Sequence, residues 1–262
     1  MKVAIYQMDI IAGEIEQNRQ KVANWAEEVC KEDSVDLLVL PEMWTTAYTL
    51  PQLQQLIDEN NDEMEFFLAG LAQKYEVNVI AGSIVVKEKG HFYNRALVYN
   101  RQGELVYQYD KIHLVPMLKE DDYLTGGHNK AEVFELEGRK IGLIICYDLR
   151  FPELTRSLAL EGAEMLVVVA EWPLAREQHW NTLLKARAIE NQLYVVSSNR
   201  VGAYDGEEFA GQSQVINPWG EVIISGSVEW EETLLASLNV EDVQRIRQDV
   251  PVFTSRVPSL YK

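Results

Sequence analysis

Short apolar runs alternate with amphipathic stretches along the chain. The runs at residues 2–8, 35–40, 77–86, 141–145, 165–170 and 193–197 predict strands, of which 35–40 reads as buried and 141–145 as buried on both faces. Between them, Val22, Trp25, Ala26 and Val29 recur at helical spacing within residues 16–31, which places Cys30 on a helix. Met64, Phe67, Leu68, Leu71 and Ala72 mark a second helix over residues 61–75. A third spans Glu153–Glu161, and the strongest pattern covers residues 176–192, with Trp180, Leu183, Leu184, Ala188 and Asn191 on one stripe. Two hairpins are expected. One joins Phe92–Tyr99 to Glu104–Gln108 around Asn100-Arg101-Gln102-Gly103, and the other joins Gln212–Ile216 to Glu221–Ser225 around Asn217-Pro218-Trp219-Gly220. Met117–Gly127 reads as a polar loop. Thr233–Leu238 and a short helix from Val240 close the pattern, and the irregular tail 249–262 is expected on a neighbouring subunit. Strands interleaved with helices predict an α/β fold.

The 262 residues contain no Gly/Ser/Pro-rich linker and no repeat, so one domain over residues 1–262 is expected. Apolar residues make up 47% of the chain, enough for a large core. A formal net charge of −17 argues against nucleic acid or an anionic membrane as partner. It leaves a small anionic substrate open, because a site can be locally basic. The first residues turn polar too soon for a signal peptide, and no apolar run is long enough to cross a bilayer. Cys30 and Cys146 read as free thiols of a reducing cytoplasm.

Candidate chemistry gathers at strand ends. The run 141–145 stops at Cys146, and Pro152-Glu153 then opens a helix. A cysteine at such a bend is exposed to backbone N–H groups and the helix dipole, which predicts a lowered thiol pKa and a nucleophile. The alternative is a buried cysteine acting as a small hydrophobe. Glu42 follows the second strand and Lys111 the strand of the first hairpin. Each, taken alone, reads equally as an ordinary surface charge. Together the three supply what amide hydrolysis needs. The thiol attacks the carbonyl, the carboxylate carries the proton to the leaving amine, and the ammonium with a backbone N–H stabilises the oxyanion.

The stretches Leu40-Pro41-Glu42-Met43-Trp44, Asp110-Lys111-Ile112-His113-Leu114 and Cys146-Tyr147-Asp148-Leu149-Arg150-Phe151-Pro152-Glu153, in this order, resemble the nitrilase superfamily of carbon–nitrogen hydrolases. The resemblance implies a four-layer α-β-β-α sandwich, with Glu42 as general base, Lys111 as the lysine and Cys146 as nucleophile. It also implies a homodimer and neither cofactor nor metal. Four scattered His and the lack of HExxH or CxxC give no zinc pattern either. A second glutamate, before a Pro-Gly pair, usually supports the lysine. Glu120 fits that spacing, although Gly126-Gly127 replaces Pro-Gly and Asp122 is the competitor.

Ala170-Glu171-Trp172-Pro173, His179-Trp180 and Ala186-Arg187-Ala188-Ile189-Glu190-Asn191-Gln192 are similar to bacterial ω-amidases, and Cys-Tyr-Asp stands where nitrilases carry Cys-Trp-Glu. That likeness implies a short dicarboxylate monoamide such as 2-oxoglutaramate, cleaved through a thioester to the carboxylate and ammonia. Tyr147, Arg150 and Trp172 are then the substrate-binding candidates, with Arg176 the next cation. For Arg150 the competing reading is a structural one, in which it ties the loop to backbone carbonyls. The rival activities are an N-carbamoyl or aliphatic amidase and, from another class, a silent binding scaffold.

Overall fold

The computed structural model describes residues 1–57 and 62–261. Along its first half the chain forms β1 (Lys2–Gln7), α1 (Ile15–Glu32), β2 (Leu37–Val39), α2 (Leu53–Leu56), α3 (Asp62–Tyr75), β3 (Asn78–Glu88), β4 (His91–Tyr99) and β5 (Leu105–Asp110). The second half continues with β6 (Phe134–Leu136), β7 (Arg139–Ile145), α4 (Pro152–Leu160), β8 (Met165–Ala170), α5 (Glu177–Asn191) and β9 (Tyr194–Asn199). A small ribbon of β10 (Ala203–Tyr204) and β11 (Glu207–Glu208) precedes β12 (Gln214–Ile216), β13 (Val222–Ser225), β14 (Glu232–Ser237) and α6 (Asp242–Asp249).

The strands make two six-stranded mixed sheets, ordered β14-β1-β2-β3-β4-β5 and β13-β12-β9-β8-β7-β6. Alternation along single strands explains how they stack. Val3 and Ile5 of β1, with Leu37 and Val39 of β2, join the core shared with the second sheet. Ala4, Tyr6 and Leu38 point the other way, into a core with Val22, Trp25 and Ala26 of α1 and Leu68 and Ala72 of α3. On the far side, Leu158 of α4 and Trp180, Leu184 and Ala188 of α5 cover the second sheet. The result is the expected α-β-β-α sandwich, and strands sealed on both faces account for their uninterrupted apolar sequence.

Boundaries move by a few residues from the sequence reading, and Asn61 of the predicted second helix lies outside the described residues. Both hairpins form as antiparallel pairs. Each turns on an asparagine: Asn100 Oδ1 accepts from the backbone N–H of Gln102 and Glu104, and Asn217 Oδ1 from Trp219 and Glu221. The 117–127 loop is more ordered than expected, because two single 3₁₀ turns, Pro116–Leu118 and Glu120–Asp122, carry Glu120 inward. The tail returns to its own chain, where Phe253 lies under the guanidinium groups of Arg156 and Arg247, 5.5 and 4.8 Å from the ring centre.

Candidate active site

Beyond β2 the chain bends sharply, and Met43 takes a positive φ of 42°. Gly82 makes room, since a Cβ there would stand 1.9 Å from the Pro41 carbonyl oxygen. Met43 N–H donates to Ser83 Oγ at 3.0 Å and Trp44 Nε1–H to the Ala81 carbonyl at 2.8 Å, which fixes Glu42 between them. Glu42 is fully buried, so the surface-acid alternative fails.

Lys111 leaves the end of β5 and is equally buried. Its Nζ donates to Glu42 Oε1 at 2.9 Å, Glu120 Oε1 at 2.8 Å and the Tyr48 hydroxyl at 3.1 Å. Glu120 spends its other oxygen on the backbone N–H of Val115, at 2.5 Å. Asp122 is exposed, which places Glu120 and not Asp122 beside the lysine. The Gly126-Gly127 departure is accommodated, because Gly127 packs where a Cβ would come 2.3 Å from the Asp110 carbonyl oxygen. Burial favours a neutral amine, yet Glu120 and Glu42 more than offset it and hold the Lys111 ammonium well above its ordinary range.

Cys146 ends β7 with a φ of +45°, uncommon for a residue other than glycine and a mark of functional strain. Asp148, buried two residues on, ties this elbow to the lysine loop. Its Oδ2 accepts from Ile145 N–H at 3.1 Å and Tyr109 O–H at 2.9 Å, and its Oδ1 lies 2.8 Å from His113 Nδ1. The expected lowered thiol pKa is corrected here. Burial, then Glu42, pushes the Cys146 thiol well up, and the Lys111 ammonium only partly opposes them. The physical reason is charge. With Glu42 and Glu120 beside one ammonium, a thiolate would be a third buried negative charge. The sulfur therefore keeps its proton beside Glu42.

The cavity at Cys146 has a volume of about 130 Å³. Tyr147, Arg150 and Trp172, the sequence candidates, all line it, as do Arg176, Glu171 and Glu207. Arg150 stacks its guanidinium 4.7 Å over Trp172 and 5.7 Å over Tyr147, and lies 3.4 Å from His179 Nδ1. The loop-tying role belongs to Arg187, whose Nη2 donates to the Leu149 carbonyl at 2.7 Å. A larger groove of about 630 Å³ between α1 and α3 has no cysteine, serine or threonine among its described lining residues. Among the described residues, no group of three or more His, Cys, Asp or Glu is placed to hold a metal ion.

Sequence reasoning missed Tyr48, Asn94 and Glu171. Asn94 Nδ2 donates to Glu42 Oε1 at 2.8 Å and Tyr48 to both Glu42 and Glu120, from positions no pattern marks. Glu171 was findable, because it follows a buried strand just as Glu42 does. Burial pushes its carboxyl up to about 8 against the pull of Arg200.

Comparison with known proteins agrees with this geometry. The carbon–nitrogen hydrolase family pattern matches residues 2–248. A Staphylococcus aureus protein named "hydrolase in agr operon" is 43% identical, with 100% of both chains aligned. The 2-oxoglutaramate amidase of Bacillus subtilis is 38% identical over 99% of this chain and 98% of its own. In the crystal structure of a carbon–nitrogen hydrolase from Helicobacter pylori the backbone superposes with a TM-score of 0.93, at 27% identity over 100% of this chain and 96% of that one. With the match running almost end to end over the sandwich just described, the chain belongs to the carbon–nitrogen hydrolase family and is one of its enzymes.

Proposed function

We propose that the chain is a cysteine-dependent amidase that cleaves a small ω-amide such as 2-oxoglutaramate, releasing ammonia. The observation that carries this reading is the meeting of the Cys146 thiol, the Glu42 carboxyl and the Lys111 ammonium at one buried point beside a cavity. Glu42 takes the thiol proton as sulfur adds to the amide carbonyl, then gives it to the leaving nitrogen. Lys111 and a backbone N–H of the elbow stabilise the oxyanion, and Glu120 holds Lys111 in place. Water, activated by Glu42, then hydrolyses the thioester.

The substrate's free carboxylate meets Arg150. Its guanidinium has no carboxylate partner among the described residues and presents a flat, two-pronged donor to the cavity. The Bacillus subtilis relative, named for 2-oxoglutaramate, supports the same choice. The reading carries with it one catalytic domain over residues 1–262, a cytoplasmic setting for the free thiol, and a homodimer built on α4 and α5. Ammonia release from 2-oxoglutaramate, succinamate and simple aliphatic amides tests it. Turnover by the wild type and none by Cys146→Ser is expected, and no ammonia from any small amide would refute it.

A further inference from the structure

The cavity beside Cys146 contains a buried carboxyl with one oxygen that no described residue satisfies. Glu171, immediately after β8, has no exposed side-chain surface and lines the cavity. Its Oε2 accepts from Arg200 Nη1 at 3.0 Å, while Oε1 has no partner among the described residues. Such an oxygen is uncommon in a buried place, and this one belongs to a side chain on the cavity wall. Glu171 is also held against rotation. Arg200 donates to the Ile10 and Val201 carbonyls, each at 2.9 Å, and stacks 4.3 Å over the Phe209 ring centre.

The two oxygens of Glu42 say which part of a substrate arrives there. Oε1 already accepts from Lys111, Tyr48 and Asn94. Among the described residues Oε2 accepts only from the backbone N–H of Glu171, at 2.8 Å. The lone pair free to carry a proton is therefore on Oε2, on the side of Glu171.

Building on the amidase reading above, we propose that Glu171 Oε1 accepts a hydrogen bond from the primary amide nitrogen of the substrate, positions it for protonation and selects carboxamides over esters. As the sulfur–carbon bond forms, the thiol proton passes to Glu42 Oε2 and the carbonyl π pair moves to oxygen. When the carbonyl re-forms, the carbon–nitrogen bond breaks with its pair on nitrogen. That nitrogen takes the proton from Oε2 and departs as ammonia. For this its lone pair must face Glu42, so its own N–H bonds point away, and Glu171 Oε1 is the acceptor for one of them. Burial outweighs Arg200 and holds the Glu171 carboxyl at about 8, and the incoming N–H draws it toward the carboxylate form that accepts it. An ester offers no N–H at this place.

The test compares succinamate with monomethyl succinate, which differ only in the leaving group. In Glu171→Gln, Arg200 holds the new carbonyl and turns the amide NH2 toward the cavity, donor facing donor. A fall of roughly 10- to 100-fold in kcat/KM on succinamate is expected, with the ester within about 3-fold of wild type. Equal losses on both substrates would make Glu171 a structural residue and overturn the proposal. Glu171→Asp keeps the charge facing Arg200 and draws the free oxygen back. It repeats the comparison should the Gln variant fail to fold, with the same selective loss expected and equal loss again overturning. A wild type that hydrolyses neither compound would instead overturn the amidase reading itself.

Discussion

Glu42 Oε1 and Lys111 Nζ lie 2.9 Å apart with neither side chain exposed, and the two charges act in opposite directions on the Cys146 thiol. The three groups proposed as base, cation and nucleophile are thus electrically coupled, and each bears on the protonation of the others.

Glu42→Gln should therefore separate two properties that usually fall together. Losing the proton carrier should cost on the order of 100-fold or more in amide turnover. Losing its negative charge leaves Lys111 as the dominant neighbour of the sulfur, so the thiol pKa should fall. A titration of thiolate absorbance should show its rise at lower pH in the variant than in wild type. A midpoint that stays put or moves up would contradict the coupling.

Glu120 and Asp122 differ in burial, and their variants should differ accordingly. Glu120→Gln breaks an ion pair buried with Lys111 and should cost about 3 kcal/mol in urea unfolding, along with activity. Asp122 is exposed, and Asp122→Asn should stay within about 0.5 kcal/mol of wild type. The reverse order would place the supporting acid two residues later.

Arg150 and Arg187 offer a matched contrast. Arg150→Leu removes no backbone tether, so the variant should fold and lose its preference for 2-oxoglutaramate over butyramide. The expected change is roughly 2–4 kcal/mol in transition-state binding, about 30- to 1000-fold in the ratio of kcat/KM values. Arg187→Leu frees the Leu149 carbonyl and should lower stability and both activities together. Unchanged preference in Arg150→Leu would return that residue to a structural role.

Assembly is the fourth prediction. Leu160 of α4, Ile189 of α5 and Trp219 in the adjoining turn are 47%, 50% and 50% exposed, large apolar side chains that water covers poorly. Light scattering should report a dimer for the wild type and a monomer for Ile189→Asp. A wild-type monomer at micromolar concentration would exclude the α4–α5 interface.

Much of this was legible in the sequence because the informative residues obey local rules. Buried strands announce themselves by unbroken apolar runs, and Glu42 and Cys146 each stand just past one, while Lys111 ends the strand of a hairpin. Asn100 and Asn217 gave the hairpins by their turn chemistry. What stayed hidden depends on distance in the fold. Tyr48 and Asn94 acquire meaning only because separate loops bring them to Glu42. The direction of the thiol's shift was misjudged for the same reason. The strand-to-helix bend is visible locally, whereas the two carboxyl groups that outweigh it come from elsewhere in the chain.

Glu42 and Lys111 hang from the ends of β2 and β5 in one sheet, and Cys146 and Glu171 from the ends of β7 and β8 in the other. No single sheet owns the reaction. Side chains such as Ile5 and Val39 belong to the core that the two sheets share. Trimming that core should let the sheets settle together or slide, and a shift of a fraction of an ångström there misaligns the chemistry while the fold persists. Catalysis is in this sense a gauge of how well the two halves mesh, and gentle heating should silence the enzyme before it unfolds.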